Sequence, residues 1–422
     1  MARQQRDRLR PGRCPWRAGH FPGRPIRREW CGARVPPRSR LHDLWRIERD
    51  PAQHHQQSGA GTVKQKHWLD DTDAALHDAA LRYTADRYAF EARQRLPATD
   101  RRFSPEVWTD MAEMGWLSVA TPEEDGGLGL RVASICLLSE AAGRALVTEP
   151  LTSAGMLAPC LVAACGNDAQ RTELLPRLHA GTLRIACLLD GHAVAVQEGR
   201  LQGTHPVLID ADIAHRLIVH AGDALWLVDA TAPGVDCRPF PLLDGRGAAT
   251  VRFDRVEAVH LGDAAPAAVT TTLQLAALAT AADSLGAMSA AFDLTLDHLK
   301  TRRQFGVPLG THQALQHRAV DMYIALSESR AVLDLAIDSM QAGSLDAARD
   351  VHAAKSFVCE SARRVTQEAV QLHGGIGITE EYAVSHYLRR ARVNEQLWGS
   401  AEQHFASFTA SSATAPDTVH TP

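Results

Sequence analysis

Residues Thr301–Gly310 (TRRQFGVPLG) place two adjacent arginines, a phenylalanine and a glycine between two long Ala/Leu-rich helical runs. The runs cover Val269–Lys300 and His312–Met340, and Pro308 prevents the helix from continuing between them. A guanidinium binds phosphate through paired donors, and an exposed aromatic ring offers a flat apolar face. The stretch therefore suits a phosphate joined to a flat ring, as in a dinucleotide. A solvated basic turn is the alternative.

A second stretch, Gln371–Ile378 (QLHGGIGI), marks the point where a helical run breaks into a glycine-rich turn. Glycine backbone without a side chain allows close approach of a ligand. Together the two patterns, R-x-Q-F-G and Q-x-x-G-G-x-G, resemble the C-terminal signatures of the acyl-CoA dehydrogenase family. The resemblance covers roughly Trp68 to His404. It includes Pro122–Leu130 (PEEDGGLGL), which is similar to the N-terminal loop of that family.

Length and composition are those of a globular protein with two or three packed units. The chain has 422 residues, of which 45% are hydrophobic and 22% charged. Its eight cysteines show no C-x-x-C pair, which argues against a zinc site and a disulfide scaffold and predicts a reduced, cytoplasmic setting. The most apolar run, Leu273–Phe292, contains Gln274 and Asp283 and predicts a buried helix rather than a membrane span.

Charge is distributed unevenly along the chain. Residues 1–50 hold fourteen Arg against five acidic residues, a net charge of +9, so the total of −4 leaves −13 for residues 51–422. An acidic body argues against nucleic-acid binding. Residues 1–66 are rich in Arg, Pro and Gly without apolar periodicity, which predicts disorder. We interpret them as an over-long gene model with a true start near Val63; a basic tail is the alternative, and a transit peptide matches poorly.

Hydrophobic periodicity predicts an α+β chain with three units in series. Residues 67–182 are expected to be helical, 183–262 to form a β domain, 263–408 to be helical again, and 409–422 to be a disordered tail. The predicted strands are Leu183–Leu189, His215–His220, Ala224–Val228 and Ala249–Phe253. This order agrees with the fold that the resemblance implies, namely an N-terminal helical domain, a small middle β-barrel and a C-terminal four-helix bundle.

The resemblance also implies FAD, bound across an interface between subunits. Loops of this chain would hold the ADP half of an FAD that is bound mainly to a neighbouring subunit. The residues at the matching positions are Arg302, Gln304, Phe305, Gln371, Gly374, Gly375, Ser400 and Glu402. Arg302 would supply donors to the pyrophosphate, Phe305 a flat face, and the glycines backbone access.

The base that the family needs is missing from its usual positions. Family members use a carboxylate to take the α-proton of an acyl-CoA thioester while the β-hydrogen leaves as hydride to the flavin. Trp398 stands at the usual Glu position, and Ala276 at the alternative position on the preceding helix, with Ala277 where an Arg is common. Asp283 is the candidate that could replace the base. Arg390 replaces the Asp of a family R-D pair, which predicts the loss of a local salt bridge.

The β domain departs from the family too. The loop that contacts the isoalloxazine ring is expected to be shortened, because Leu188–His192 runs almost directly into Leu201–Thr204. A chain that lacks the base and the helix Arg and has a shortened loop resembles the non-catalytic member of heteromeric acyl-CoA dehydrogenases known from actinobacteria. The Gly399-x-Ala401-x-x-His404 element resembles that group as well. The implied assembly is a heterotetramer with a homologous catalytic subunit, a homotetramer being the alternative, acting in lipid β-oxidation with electron-transfer flavoprotein or a similar acceptor.

Three hypotheses follow from the sequence. The chain is a subunit that works only with a catalytic partner, or an independent FAD oxidoreductase that uses Asp283 or another base, or a flavin-free structural homologue. The length and identity of the acyl group are not encoded in any motif.

Overall fold

A computed structural model describes residues 71–94, 102–190, 193–263 and 266–413 of the chain. The predictions for residues 1–66 and for the last nine residues of the tail fall outside these ranges. Within them the order is helical, then β, then helical, which confirms the predicted fold class.

The N-terminal unit is built from six α-helices and three single turns. The α-helices are α1 (Asp71–Arg87), α2 (Phe90–Gln94), α3 (Pro105–Glu113), α4 (Val132–Ala145), α5 (Ala158–Cys165) and α6 (Asp168–His179). The turns are 3-10 helices at Trp116–Ser118 and Glu123–Asp125 and a π-helix at Ser153–Leu157. Ser104 caps α3: its hydroxyl accepts a hydrogen bond from the Val107 amide at 3.3 Å. The core of the unit is aromatic and aliphatic, with Trp108, Met111 and Trp116 almost fully buried.

The middle unit consists of two four-stranded sheets that share one core. One sheet has the strand order β1-β4-β5-β8 and the other β2-β3-β7-β6. Their strands are β1 (Ile185–Leu188), β2 (Val194–Gln197), β3 (Arg200–Ile209), β4 (Arg216–Ala221), β5 (Ala224–Asp229), β6 (Val235–Pro241), β7 (Gly247–Glu257) and β8 (Val259–Asp263). Leu188 and Val219 from the first sheet and Val251 and Phe253 from the second lie in the same buried cluster.

Four strands match the predicted segments, and four were missed. One of the missed strands is β2, which forms an antiparallel hairpin with β3 in the register Val194↔Gly203. β2 and β6 are partly exposed, and β6 contains Pro239 and Pro241. Such edge strands lack the buried apolar run that identifies a strand from sequence.

The C-terminal unit contains three long helices and two shorter ones. They are α7 (Pro266–Thr301), α8 (Gln313–Gln341), α9 (Ala347–His373), α10 (Val384–Asn394) and α11 (Ala401–Ala413). Helix α11 continues five residues beyond the predicted end at 408, so the prediction of disorder from residue 409 is wrong up to Ala413. Ser411 donates its hydroxyl to the Ser407 carbonyl at 2.9 Å inside this last turn.

Helix α7 is the central element, because it packs against the N-terminal unit as well as its own bundle. Its contact with α4 requires glycine on both sides: a side chain at Gly143 would lie 1.9 Å from the Asp283 carbonyl, and one at Gly286 would lie 1.9 Å from the Glu140 carbonyl. In the described part of the chain, Ala267–Thr301 is the one helix long and apolar enough to cross a membrane. In its most apolar window, 89% of the residues are buried inside the protein.

Candidate functional site

The Arg302 stretch folds into a small exposed hairpin, as its residue types suggest. Strands β9 (Arg303–Gln304) and β10 (Val307–Pro308) pair antiparallel around Phe305 and Gly306. Both of these residues have positive φ, +54° and +83°, which is the pattern of a type I′ turn. Phenylalanine is unusual in this conformation, yet its side chain is 90% exposed. Packing within the chain therefore does not account for this side chain, and it is available to a ligand or a partner.

Arg302 immediately precedes the hairpin and is exposed together with Gln304. Its amide donates to the His298 carbonyl at 2.8 Å and its carbonyl accepts from the Leu309 amide at 2.8 Å, so the backbone of the loop is closed at its base. No carboxylate among the described residues forms an ion pair with the Arg302 guanidinium. An exposed guanidinium on a fixed backbone is a suitable donor for a phosphate.

The glycine-rich turn follows α9 directly. Helix α9 ends at His373, and Gly374 adopts φ +65° and ψ −139°, a conformation that a side chain would oppose. Gly374, Gly375 and Gln371 are exposed, and a side chain added at either glycine would meet no atom within 4 Å. The backbone here is open to a ligand, which is the property that the sequence predicts.

Tertiary structure joins the two loops through a pair of histidines that no motif singles out. The rings of His298, near the end of α7, and His373, at the end of α9, lie 4.4 Å apart between centroids. Arg302 is one helical turn beyond His298, and Gly374 follows His373. The hairpin and the glycine turn, 70 residues apart in the chain, therefore form one surface. The donor set and open backbone of this surface fit the ADP half of a flavin dinucleotide.

Ser400 and Glu402 have a different structural setting. The Ser400 hydroxyl accepts from the Gln403 amide at 3.1 Å, and the Gln403 side chain accepts from the Ser400 amide at 2.8 Å. This reciprocal pair is a capping box at the start of α11. Ser400 is thus occupied in capping a helix, while Glu402 is exposed. The described contacts do not place either residue on the surface formed by Arg302 and Gly374.

Both positions where the family can carry its base are filled by apolar side chains that meet in one cluster. Ala276 is fully buried in a cluster that also contains Leu161, Ile185 and Leu261, and Trp398 packs against that cluster. Trp398 has a φ of +57°. Its carbonyl is 3.0 Å from Nε2 of His404, whose pKa is lowered to about 4, mainly by burial. The Gly399-x-Ala401-x-x-His404 element therefore holds Trp398 in place.

The interior next to Trp398 is occupied by charged side chains. Arg390 is 1% exposed, and its guanidinium lies 3.3 Å from the buried Asp244 carboxylate and 3.8 Å from Asp283. It also donates to the Val147 carbonyl. These four residues come from the N-terminal unit, the β domain and two helices of the C-terminal unit. The sequence predicted the loss of the family's local R-D salt bridge at this position; it did not predict that Arg390 itself pairs with Asp244 and Asp283, which are remote in the chain.

A second arginine extends this charged cluster. Arg246 lies 2.7 Å from Asp244 and donates to the Asn394 side chain at 2.7 Å. Asn394 in turn donates to Asp283 at 2.6 Å, and its carbonyl accepts from the fully buried Lys355 ammonium. The cavity that remains between these groups and Trp398 has a volume of about 30 Å³. Such a volume has room for about one water molecule and far too little for a flavin ring or an acyl chain.

Two further carboxyl groups, those of Glu149 and Asp210, line this cavity, and the pKa of each is raised. Burial raises the pKa of Glu149 to about 7, although the Ser104 amide donates to it at 3.0 Å. Burial likewise raises the pKa of Asp210 to about 7, against the opposing hydrogen bond from Ser153. Sequence reasoning missed Asp244, Arg246, Glu149 and Asp210, because each is an ordinary polar residue until the three units pack together. No local pattern marks them.

Asp283, the candidate base, belongs to the same cluster. Its side chain is 14% exposed and is engaged by the Asn394 amide and by Arg390. These contacts make Asp283 part of the charged network around Arg390. Among the described residues, no three His, Cys, Asp or Glu side chains are grouped closely enough to hold a metal ion.

The sequence and the fold were compared with known proteins. The C-terminal domain of acyl-CoA dehydrogenases matches residues 267–411, and the N-terminal domain of the same family matches residues 70–182. The acyl-CoA dehydrogenase IpdE2 of Mycolicibacterium smegmatis is 31% identical over 343 residues, which are 80% of this chain and 95% of that protein. The chain belongs to the acyl-CoA dehydrogenase family. Its members are oxidoreductases.

Solved structures agree with this membership. A variant of the Tcur3481–Tcur3483 steroid ACAD is 31% identical, with a TM-score of 0.73 over 82% of this chain and 99% of that chain. The ChsE4–ChsE5 complex from Mycobacterium tuberculosis shares the fold, with 24% identity, a TM-score of 0.75 and 82% and 99% of the two chains covered. The chain is thus similar in fold to two proteins whose printed names each give two different chains.

Proposed function

We propose that this chain is the non-catalytic subunit of a heteromeric acyl-CoA dehydrogenase. In this proposal Arg302, Gln304, Phe305 and the Gly374–Gly375 backbone hold the ADP half of an FAD whose reactive half lies in a homologous subunit. That partner supplies the Glu base. The bound FAD would accept the β-hydrogen of an acyl-CoA thioester as hydride. The setting would be cytoplasmic, with electron-transfer flavoprotein or a similar protein as acceptor.

One observation carries the proposal: the binding groups are exposed, while the space beside the missing base is filled. Phe305 is 90% exposed and Arg302 is without an ion-pair partner in the described ranges, so the outer surface is suited to bind something. The cavity at Trp398 has only about 30 Å³, so the inner site is suited to bind almost nothing. A subunit that completes a neighbour's site needs exposed binding groups and does not need an internal cavity of its own.

The chain's own residues perform binding and orientation in this scheme. Arg302 would neutralise charge on the diphosphate, and the glycine backbone would approach it closely. Phe305 would cover a flat ring and exclude water from it. Gln371 is exposed beside the turn and can donate to the same ligand. No proton transfer to substrate is assigned to this chain, because its base positions hold Trp398 and Ala276.

The relatives support a paired assembly. A steroid ACAD variant at 31% identity bears two chain names, and the fold matches a complex of two different chains. We infer a heterotetramer by analogy with the family. A bulky polycyclic acyl-CoA is the substrate class that these relatives suggest, and the partner subunit would hold it.

The first test is the visible absorption spectrum. The chain is purified alone, beginning at Val63, and then co-purified with homologous subunits encoded beside it. We expect the lone chain to be colourless and the complex to contain about one FAD per pair of subunits. A yellow lone chain that is bleached by an acyl-CoA would disprove the partner requirement.

The second test is Arg302→Ala in the complex. Loss of a charge-assisted hydrogen bond to phosphate is expected to cost about 1.5–3 kcal/mol, or roughly 10- to 100-fold in FAD affinity. Arg252→Ala is the control, because Arg252 is an exposed arginine in the β domain with its own Asp254 partner. Equal FAD retention in the two variants would contradict the proposed site and would favour a flavin-free homologue.

Independent catalysis with Asp283 as base is the second candidate, since Asp283 lines the cavity at Trp398. Asp283→Asn distinguishes the two. If Asp283 is the base, turnover is abolished while folding is unaffected. If it is a counter-ion of Arg390, the variant complex keeps its turnover and its flavin but unfolds at lower urea concentration.

A further inference from the structure

His298 lies directly beside the surface assigned to the diphosphate. It is one helical turn before Arg302, and its carbonyl accepts the Arg302 amide at 2.8 Å, so the two residues share one face of the α7 terminus. His298 is half-buried and thus partly accessible to solvent. The signatures that identify the cofactor loops do not include this residue.

The position of the His298 ring is fixed by His373. The His373 Nδ1 lies 2.7 Å from the Ala369 carbonyl, so this nitrogen carries the proton and donates it. The ring is therefore held against its own helix, 4.4 Å from the His298 centroid on one side and 5.1 Å from Tyr382 on another. A buried ring anchored in this way gives His298 a rigid stacking surface.

The electrostatic surroundings keep His298 neutral in the free chain. Burial lowers the pKa of His298, and the neighbouring His373 and Arg302 lower it further. Burial also lowers the pKa of His373. The remaining titratable neighbour of the stack is Tyr382, whose pKa is raised by burial and by Asp297 on the exposed face of α7. Among these neighbours, Arg302 carries a full charge that acts directly on the His298 ring.

We propose that His298 is a further binding residue of the cofactor-facing surface, and that it takes up one proton from solvent when a diphosphate binds beside Arg302. The inference rests on the proposed function. It assigns a role to a residue outside both signatures and makes cofactor affinity dependent on pH.

The sign of this dependence follows from linkage. A diphosphate places negative charge next to the imidazole and offsets the repulsion by Arg302, so the imidazolium becomes favourable only in the bound state. Because the bound state holds one more proton, affinity increases as the pH falls. It stops increasing once His298 is protonated in the free chain as well. Each unit by which binding raises the pKa corresponds to a tenfold gain in affinity at the acid end.

The test compares FAD dissociation from the complex at pH 6 and pH 8 for the wild type, His298→Phe and His298→Gln. Phe keeps a flat ring against His373, and Gln keeps a polar group; neither accepts a proton. We expect the wild type to bind FAD roughly tenfold more tightly at pH 6 than at pH 8. Both variants should lose this gain. His317→Phe, at an exposed histidine on α8, should behave as the wild type.

Calorimetry provides a second measurement that does not depend on turnover. Titration at pH 7 in buffers of different ionisation enthalpy reports the protons taken up when FAD binds. Net uptake in the wild type that disappears in His298→Phe would support the inference. Unchanged uptake and an unchanged pH profile in both His298 variants would overturn it. If Arg302→Ala still lowers FAD affinity in the same experiment, the proposed function stands and only the role of His298 is lost.

Discussion

The two loops at Arg302 and Gly374 differ from the interior at Trp398 in almost every physical property. The loops are exposed, Arg302 forms no ion pair with any described residue, and Phe305 has an unfavourable backbone conformation. The interior is buried, and the arginines Arg390 and Arg246 are both paired there with Asp244. Exposed donors without a partner in the same chain are typical of binding sites, whereas buried charges that pair with one another are typical of structural networks. The comparison supports the proposal that the outer surface binds a ligand and that the interior has a structural role.

Removing Arg390 tests the structural half of the comparison and should have the largest effect. Arg390→Ala leaves the buried Asp244 carboxylate and Asp283 with less compensation, so we expect a loss of about 3–5 kcal/mol in the free energy of unfolding. Urea unfolding measures it. The neighbour Arg389 is the control, because it pairs with Glu380 near the surface and its loss should cost below about 1 kcal/mol. Equal costs for the two variants would mean that the buried network does not stabilise the junction.

The pH dependence of the free energy of unfolding in Glu149→Gln tests the same interior, and the expected effect is smaller than that of Arg390→Ala. Burial raises the pKa of Glu149 from an ordinary value of 4.5 to about 7, so the folded state binds more protons than the unfolded state between these values. The wild type therefore loses stability as the pH rises through 7. Gln does not ionise, so the stability of the variant relative to the wild type should rise by about 2 kcal/mol between pH 5 and pH 8. Parallel unfolding curves at all pH values would contradict this.

Phe305→Asn tests the functional half and should have the smallest effect on folding. Asn is favoured at the first position of a type I′ turn, whereas Phe pays a backbone penalty there, so the variant should be more stable by about 0.5–1 kcal/mol. FAD affinity of the complex should fall several-fold, since the aromatic face is lost. Thermal unfolding and FAD titration give the two values. A variant that gains stability without losing flavin would show that Phe305 is not part of the site.

Long helices and loop chemistry could be predicted from sequence, because both depend on near neighbours. The helical runs on either side of Thr301–Gly310 have a clear periodicity, and α7 and α8 are found there. Strands β2 and β6 could not be predicted, since edge strands need only one buried face and tolerate proline. The capping box of Ser400 and Gln403, in contrast, has a local sequence signature, since Ser is followed three residues later by Gln.

The contacts of Arg390 show most clearly what could not be predicted from the sequence. Its partners Val147, Asp244 and Asp283 lie more than a hundred residues before it in the chain. The sequence recorded only that an expected Asp was absent. Three units had to pack together before the carboxylates that pair with Arg390 could be recognised.

The sequence by itself determined the chemistry of the parts: a guanidinium and an aromatic ring in one loop, bare glycine in another, and apolar residues at both base positions. These properties are local and follow from residue type and spacing. Tertiary structure alone decided that His298 and His373 bring the two loops together and that Arg390 fills the interior beside Trp398. The physical reason is that burial, charge pairing and ring stacking depend on distances between residues that are remote in sequence, and those distances are fixed only when the three units pack.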